Sequence, residues 1–151
     1  MPDPKDPNLP LYFQFFNEVA IIQQLATAMF EAEMPKGLLV SHFSVLNHLV
    51  RVKDGRTPLE LARAFQVPKT TFTHTLKGLL EHGLVDVRPN PEDARSKQVW
   101  ITQDGLAFRE DALMAVMPRL NELSDHITLD QITALLPDLE HIRKILDSAR
   151  D

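Results

Sequence analysis

Six side chains able to meet a nucleic acid, Lys69, Thr70, Thr71, Thr73, His74 and Lys77, fall within one short run. They lie away from the stripe formed by Phe72, Leu76 and Leu79, which recurs at helical spacing. A lysine ammonium can neutralise a phosphate, and a threonine hydroxyl can bond a phosphate or a base edge. The threonine methyl can also touch a thymine methyl. Thr70, Thr71 and His74 are the candidates for base contact. A second set, Arg95, Ser96 and Lys97, sits in the polar, proline-rich stretch 89–97. An arginine on such a loop suits the narrow minor groove, where negative potential is high. Asp93 is placed to orient it, and Ser96 and Lys97 suit backbone phosphate. The competing reading of both sets is an ordinary solvated helix face and a solvated loop cation. The elements that carry them decide between the two.

Those elements are legible. Thr57-Pro58-Leu59-Glu60 spells a helix start, with Thr57 as cap, Pro58 at the first helical position and Glu60 completing a capping box. Leu59, Leu61, Ala62 and Phe65 supply its apolar stripe. Gln66-Val67-Pro68 interrupts the helix, since proline disfavours helical geometry at the residue before it. The Phe72/Leu76/Leu79 helix follows and stops at Gly83. Two short helices meeting at such a turn make a helix-turn-helix, whose second helix reads the major groove. Beyond it, Leu84-Val85-Asp86-Val87-Arg88 alternates as a half-buried strand, with Val99-Trp100-Ile101-Thr102 as its partner. A hairpin beside a helix-turn-helix is a wing, and with a wing attached the DNA reading outweighs the solvated one.

At this point the sequence resembles the MarR family of bacterial winged-helix regulators. The resemblance rests on Leu59-x-Leu61-Ala62, on Val67-Pro68-Lys69-Thr70-Thr71-Phe72-Thr73-His74, and on Leu79-x-x-x-Gly83-Leu84-Val85. The wing Pro91-Glu92-Asp93-Ala94-Arg95-Ser96-Lys97 and Ile101-Thr102-x-x-Gly105 complete it. Two positions depart from the family's habit. His74 stands where arginine is frequent, and Ala94 replaces a frequent basic residue beside the wing arginine, which predicts softer nonspecific binding. The resemblance implies a homodimer on double-stranded DNA at a pseudo-palindromic operator, and repression relieved by a small aromatic or phenolic effector.

The fold class expected is mainly α with a small β-hairpin wing. A winged helix-turn-helix over 37–102 is flanked by dimerisation helices at 11–36 and 103–151, behind a disordered or extended lead at 1–10. On the first helix, Tyr12, Phe15, Phe16, Val19, Ile22, Ala26 and Met29 form a stripe wider than one small core needs. The second runs from about Leu39 to Lys53 with Phe43, Leu46, Leu49 and Val50 inward. Thr102 caps a long helix that Pro118 should bend or break. Thr128-Leu129-Asp130-Gln131 opens a last helical region that Pro137 should kink or divide. Apolar surface without an intrachain partner points to a second copy of the chain.

Composition narrows the rest. The net charge of −5 argues against a nucleic-acid partner until it is resolved by region. Residues 51–100 hold nine basic groups against six acidic ones, a local excess of +3. A basic face is what phosphate contact needs, and an acidic remainder does not forbid it. The absence of cysteine excludes disulfides and thiol sensing. No apolar stretch is long enough to span a bilayer, and the first residues lack the plan of a signal peptide, so the expected location is cytoplasmic. The six histidines offer no H-x-x-x-H spacing and thiolate ligands are missing, so no metal or other cofactor is expected. No nucleophile motif, phosphate loop or carboxylate pair suggests catalysis. Tyr12, Phe16, His42 and Asn47 are candidate lining for the effector pocket that the resemblance implies, against the plainer reading of core aromatics and solvated polar groups. The alternatives are a winged-helix module for protein contact and, further off, a zinc-responsive regulator.

Overall fold

A computed structural model describes residues 6–150 and contains two compact units, residues 6–115 and 116–150. The first unit holds α1 (Leu9–Glu31), α2 (Val40–Arg51), α3 (Pro58–Ala64), α4 (Lys69–Glu81), β1 (Val85–Pro89) and β2 (Lys97–Ile101). α5 (Gln103–Ser124) begins in it, and α6 (Leu129–Ser148) lies in the second unit.

The expected helix starts form as read. The Glu60 N–H donates to Thr57 Oγ1 at 3.2 Å and the Thr57 N–H to Glu60 Oε2 at 2.8 Å, closing the box that opens α3. Thr128 and Gln131 repeat it at α6, at 3.2 and 2.9 Å. Thr102 accepts the Gly105 N–H at 3.0 Å and donates to the Gly83 carbonyl at 2.7 Å, so one hydroxyl starts α5 and ties it to the end of α4.

The core is the meeting of α2, α3, α4 and the hairpin. Leu46, Leu61 and Leu79, one from each helix, are fully enclosed, with Val45, Leu49, Ala62, Phe72, Leu84, Val85 and Val99 around them. Each such leucine contributes about 1.5–3 kcal/mol, so three rival the net stability of a whole domain, ~5–15 kcal/mol. The inner face of α4 is thereby fixed, which leaves its outer face for other work.

Several expectations need correction. α1 starts at Leu9, not Leu11, so the end of the expected lead is helical, with Pro10 in the first turn where its missing N–H costs nothing. Residues 1–5 of that lead lie outside the described residues. On α2 the buried positions are His42, Val45, Leu46 and Leu49, while Val50 is exposed. The helical phase set by 42, 45, 46 and 49 leaves Val50 one step past the rim. Leu59 is exposed for the same reason, since Leu61 and Ala62 set the phase of α3. Neither proline divides its helix: α5 runs unbroken through Pro118 and α6 through Pro137. The carbonyls that lose a donor belong to Met114 and Thr133, both exposed residues, so the missing bonds fall on the solvent side of the helices.

Asp54-Gly55-Arg56, the turn after α2, adds a third rung to the wing. The Val99 N–H donates to the Arg56 carbonyl at 2.8 Å, and Asp54 Oδ1 accepts the N–H groups of Gly55 and Ile101, each at 3.0 Å. Gly55 has φ +70° and packs closely against Trp100, whose ring a β-carbon there would strike. On the hairpin, the Arg88 guanidinium stands 5.3 Å from the Trp100 ring centre.

Candidate nucleic-acid interface

The turn before α4 is built by Gln66, which takes a left-handed conformation at φ +54° and bonds the Arg63 carbonyl at 3.1 Å. Pro68 then starts α4 in extended geometry. Because Phe72 and Leu79 face the core, Lys69, Thr70, Thr71, Thr73, His74 and Lys77 remain outside it, all six exposed. Thr70, His74 and Lys77 lie off the buried stripe by helical phase. Thr71 lies seven residues before Gly78 and shares the flank that Gly78 turns toward α2. Thr73 donates to the Lys69 carbonyl at 2.9 Å, which leaves its oxygen lone pairs for an incoming donor. Lys77 approaches Glu81 at 3.8 Å. An exposed pair of this kind is worth little, so Lys77 can leave it for a phosphate.

The hairpin pairs Val85 with Ile101 and Pro89 with Lys97, which puts Lys97 on β2 rather than in the loop. The tip is wired internally. Asp93 Oδ1 accepts the Arg95 N–H at 3.0 Å, so Asp93 places Arg95 through its backbone and not through its guanidinium. Ser96 Oγ accepts from Asn90 Nδ2 at 2.9 Å and donates to the Asp93 carbonyl at 3.3 Å. Its hydroxyl proton is thus spent on closing the loop, and the lone pair left over is a poor match for an anion. Arg95 and Lys97 are exposed.

The four side chains read as pocket lining do not come together within the chain. His42 sits at the start of α2, where the Val40 N–H donates to Glu31 Oε1 at 3.0 Å and Phe43 meets Phe30 at 4.9 Å, both at the far end of α1. Tyr12 stands nineteen positions before Glu31, about 28 Å along a helix rising 1.5 Å per residue. Tyr12 and Phe16 are exposed, His42 is buried, and Asn47 Oδ1 accepts from Arg109 Nε at 3.1 Å. Burial lowers the His42 pKa, helped by the positive charge of His82 and His74 and opposed by Glu31. Among the described residues, no three His, Asp or Glu side chains gather as a metal ion needs, and no helix is long and apolar enough to cross a membrane.

Sequence reasoning missed two participants. Gly78, alone inside the α4 repeat, gave the kind of signal that marks a close approach. Asp54 gave none, because its partner Ile101 is 47 residues away.

Comparison with known proteins places this arrangement. A family model described as the MarR family matches residues 36–96. The HTH-type transcriptional repressor YetL of Bacillus subtilis is 32% identical over 69% of this chain, and the match spans 65% of its own length. The multiple antibiotic resistance protein MarR of Salmonella typhimurium is 31% identical over 67% of this chain and 70% of its own. The crystal structure of a mutant MarR from E. coli, complexed with operator DNA, superposes with a TM-score of 0.73 at 24% identity, covering 91% of this chain and 99% of that one.

Proposed function

This chain belongs to the MarR family, and from that premise we propose that it is a dimeric transcriptional regulator of the cytoplasm that binds a pseudo-palindromic operator in double-stranded DNA and represses from it. The observation that carries the reading is the outer face of α4. Its inner face is locked into the core by Phe72 and Leu79, while Lys69, Thr70, Thr73, His74 and Lys77 lie outside the core beside an exposed wing bearing Arg95 and Lys97. A helix so held can enter a major groove while the wing reaches the minor groove.

The dimer is supported by α1, on which no residue is buried although it carries Leu11, Tyr12, Phe13, Phe16, Ile22 and Leu25, all exposed. Monomers rarely leave so long an apolar surface in water. A two-fold dimer repeats the reading helix at a spacing that matches successive turns of DNA. An effector, a small aromatic or phenolic compound, would act by favouring a dimer geometry with mis-spaced reading helices. Tyr12 and Phe16 could serve such a site with His42 and Asn47 only if the second copy supplied one pair.

The test is binding to the DNA upstream of its own gene, at low and high salt, against a scrambled duplex. Specific binding that weakens steeply with salt supports the reading, because each phosphate contact releases counterion. Absence of binding at low salt overturns it in favour of a protein-contact module.

A further inference from the structure

Gly78 lies inside the reading helix, three residues before its last, and in a helix interior glycine costs about 1 kcal/mol relative to alanine. Its open side is filled. A β-carbon there would lie 2.5 Å from His42 Nε2 and 3.3 Å from Cδ2. His42 is 7% exposed, the one buried polar side chain among the described residues, and its other ring nitrogen, Nδ1, accepts the Leu39 N–H at 2.8 Å. One edge of the ring thus caps α2, as a glutamate would in a capping box, and the opposite edge abuts the α4 backbone. The same stretch of α4 is held from its own side, where His82 Nδ1 donates to the Gly78 carbonyl at 2.8 Å.

We propose that His42 is a positioning residue for the reading helix: its neutral ring seats α4 against α2, and a proton on it unseats α4 and weakens DNA binding. The inference rests on the DNA reading above. Its chemistry is that of a single acceptor. Imidazolium has two N–H donors and no acceptor, so a protonated His42 turns a donor toward the Leu39 N–H and the α2 cap is lost. The titratable groups facing it are His74 on α4, His82 just past the end of α4, and Glu31 on α1. The histidines repel the added charge. Glu31 attracts it, but that carboxylate already accepts the Val40 N–H.

The test uses the full chain and a fluorescent duplex carrying the DNA upstream of its own gene. The ring proton resonance of His42 is titrated with and without the duplex. Affinity is measured between about pH 7.5 and about pH 5.5 for the wild type and for His42→Asn. Asparagine keeps an oxygen acceptor near the Nδ1 position and does not titrate. Binding linkage is reciprocal, so the duplex should lower the pKa of His42. Over that range the wild type should lose about tenfold more affinity than the variant, the equivalent of one unit of pKa. Identical titration of His42 with and without duplex overturns the proposal, and needs no variant to fold. Parallel affinity profiles, with binding intact near neutral pH, overturn it while leaving the DNA reading standing. No binding to the duplex at any pH overturns both.

Discussion

Asp54 and Ile101 are joined across 47 residues by one hydrogen bond, the Ile101 N–H donating to Asp54 Oδ1 at 3.0 Å. The same oxygen accepts the Gly55 N–H, so a single carboxylate fixes both the turn after α2 and the returning strand of the wing. Asp54→Ala should destabilise the chain by about 1–3 kcal/mol, since it leaves two partly buried donors without a partner. Asp54→Asn, which keeps an acceptor, should recover most of it. Urea unfolding of the three proteins measures this, and an unchanged midpoint for the alanine variant would show that the wing root is held by its strands alone.

Arg95→Ala should weaken specific duplex binding by about 1–3 kcal/mol if the guanidinium reads a base edge. If it meets only phosphate, the loss should be similar on every sequence and the salt slope should fall by about 1. The two outcomes separate on a pair of duplexes measured at three salt concentrations. Stability should not move, because the side chain is exposed.

Thr57→Ala removes the hydroxyl that accepts the Glu60 N–H and should cost about 1 kcal/mol, in the range of other lost caps. Thr57→Ser should restore it. A thermal scan resolves this, and equal melting temperatures for all three would leave α3 fixed by Leu61 and Ala62 alone.

Gly78→Ala sets two effects in opposition. Helix propensity favours the change by about 1 kcal/mol, while a methyl pressed on His42 should cost about 1–3 kcal/mol. The contact of 2.5 Å decides for net loss of both stability and DNA affinity. A more stable Gly78→Ala protein would mean that the His42 ring yields easily.

Acid should destabilise the fold in two stages. The pKa values of His42 and His48 are lowered, chiefly by burial, with positive neighbours adding to it. The unfolded chain therefore takes protons at the ordinary 6.5 before the folded one does. The stability tied to these neutral rings is full above that pH and declines as pH falls through the lowered values. Glu60 is lowered by the Thr57 backbone N–H bond above all, with the Thr57 hydroxyl and the charges of Arg56 and Lys53 adding and burial opposing. Its contribution is present above the ordinary 4.5 and fades below it. Melting temperatures collected from neutral pH to about pH 3 should step down twice, and a flat profile through the histidine range would contradict the first stage.

Much of this was legible because local chemistry writes it. The Thr57 and Thr128 boxes, the proline before α4 and the Phe72/Leu79 stripe each act within a few residues, and each formed as the sequence implied. Phase errors arose where an apolar residue sat one step from the buried arc, as at Leu59 and Val50. The contacts that shape the interface from behind were not legible. Asp54 reaching Ile101 and His42 filling the notch at Gly78 depend on segments far apart in sequence, and nothing local distinguishes them. His42 illustrates the difference: a polar residue at a helix start reads as pocket lining, while its burial assigns it to the joint between α2 and α4.

Trp100 is the chain's one tryptophan, and at the wing root it meets both Gly55 and the Arg88 guanidinium. The protein therefore carries a built-in fluorophore at the root of its wing. Any event that draws Arg88 off the ring or loosens the turn at Gly55 alters the indole's surroundings, and so its emission. Changes at the wing root on mixing with DNA can be followed in real time in the unlabelled protein by stopped-flow fluorescence, with no dye to disturb the surface being watched.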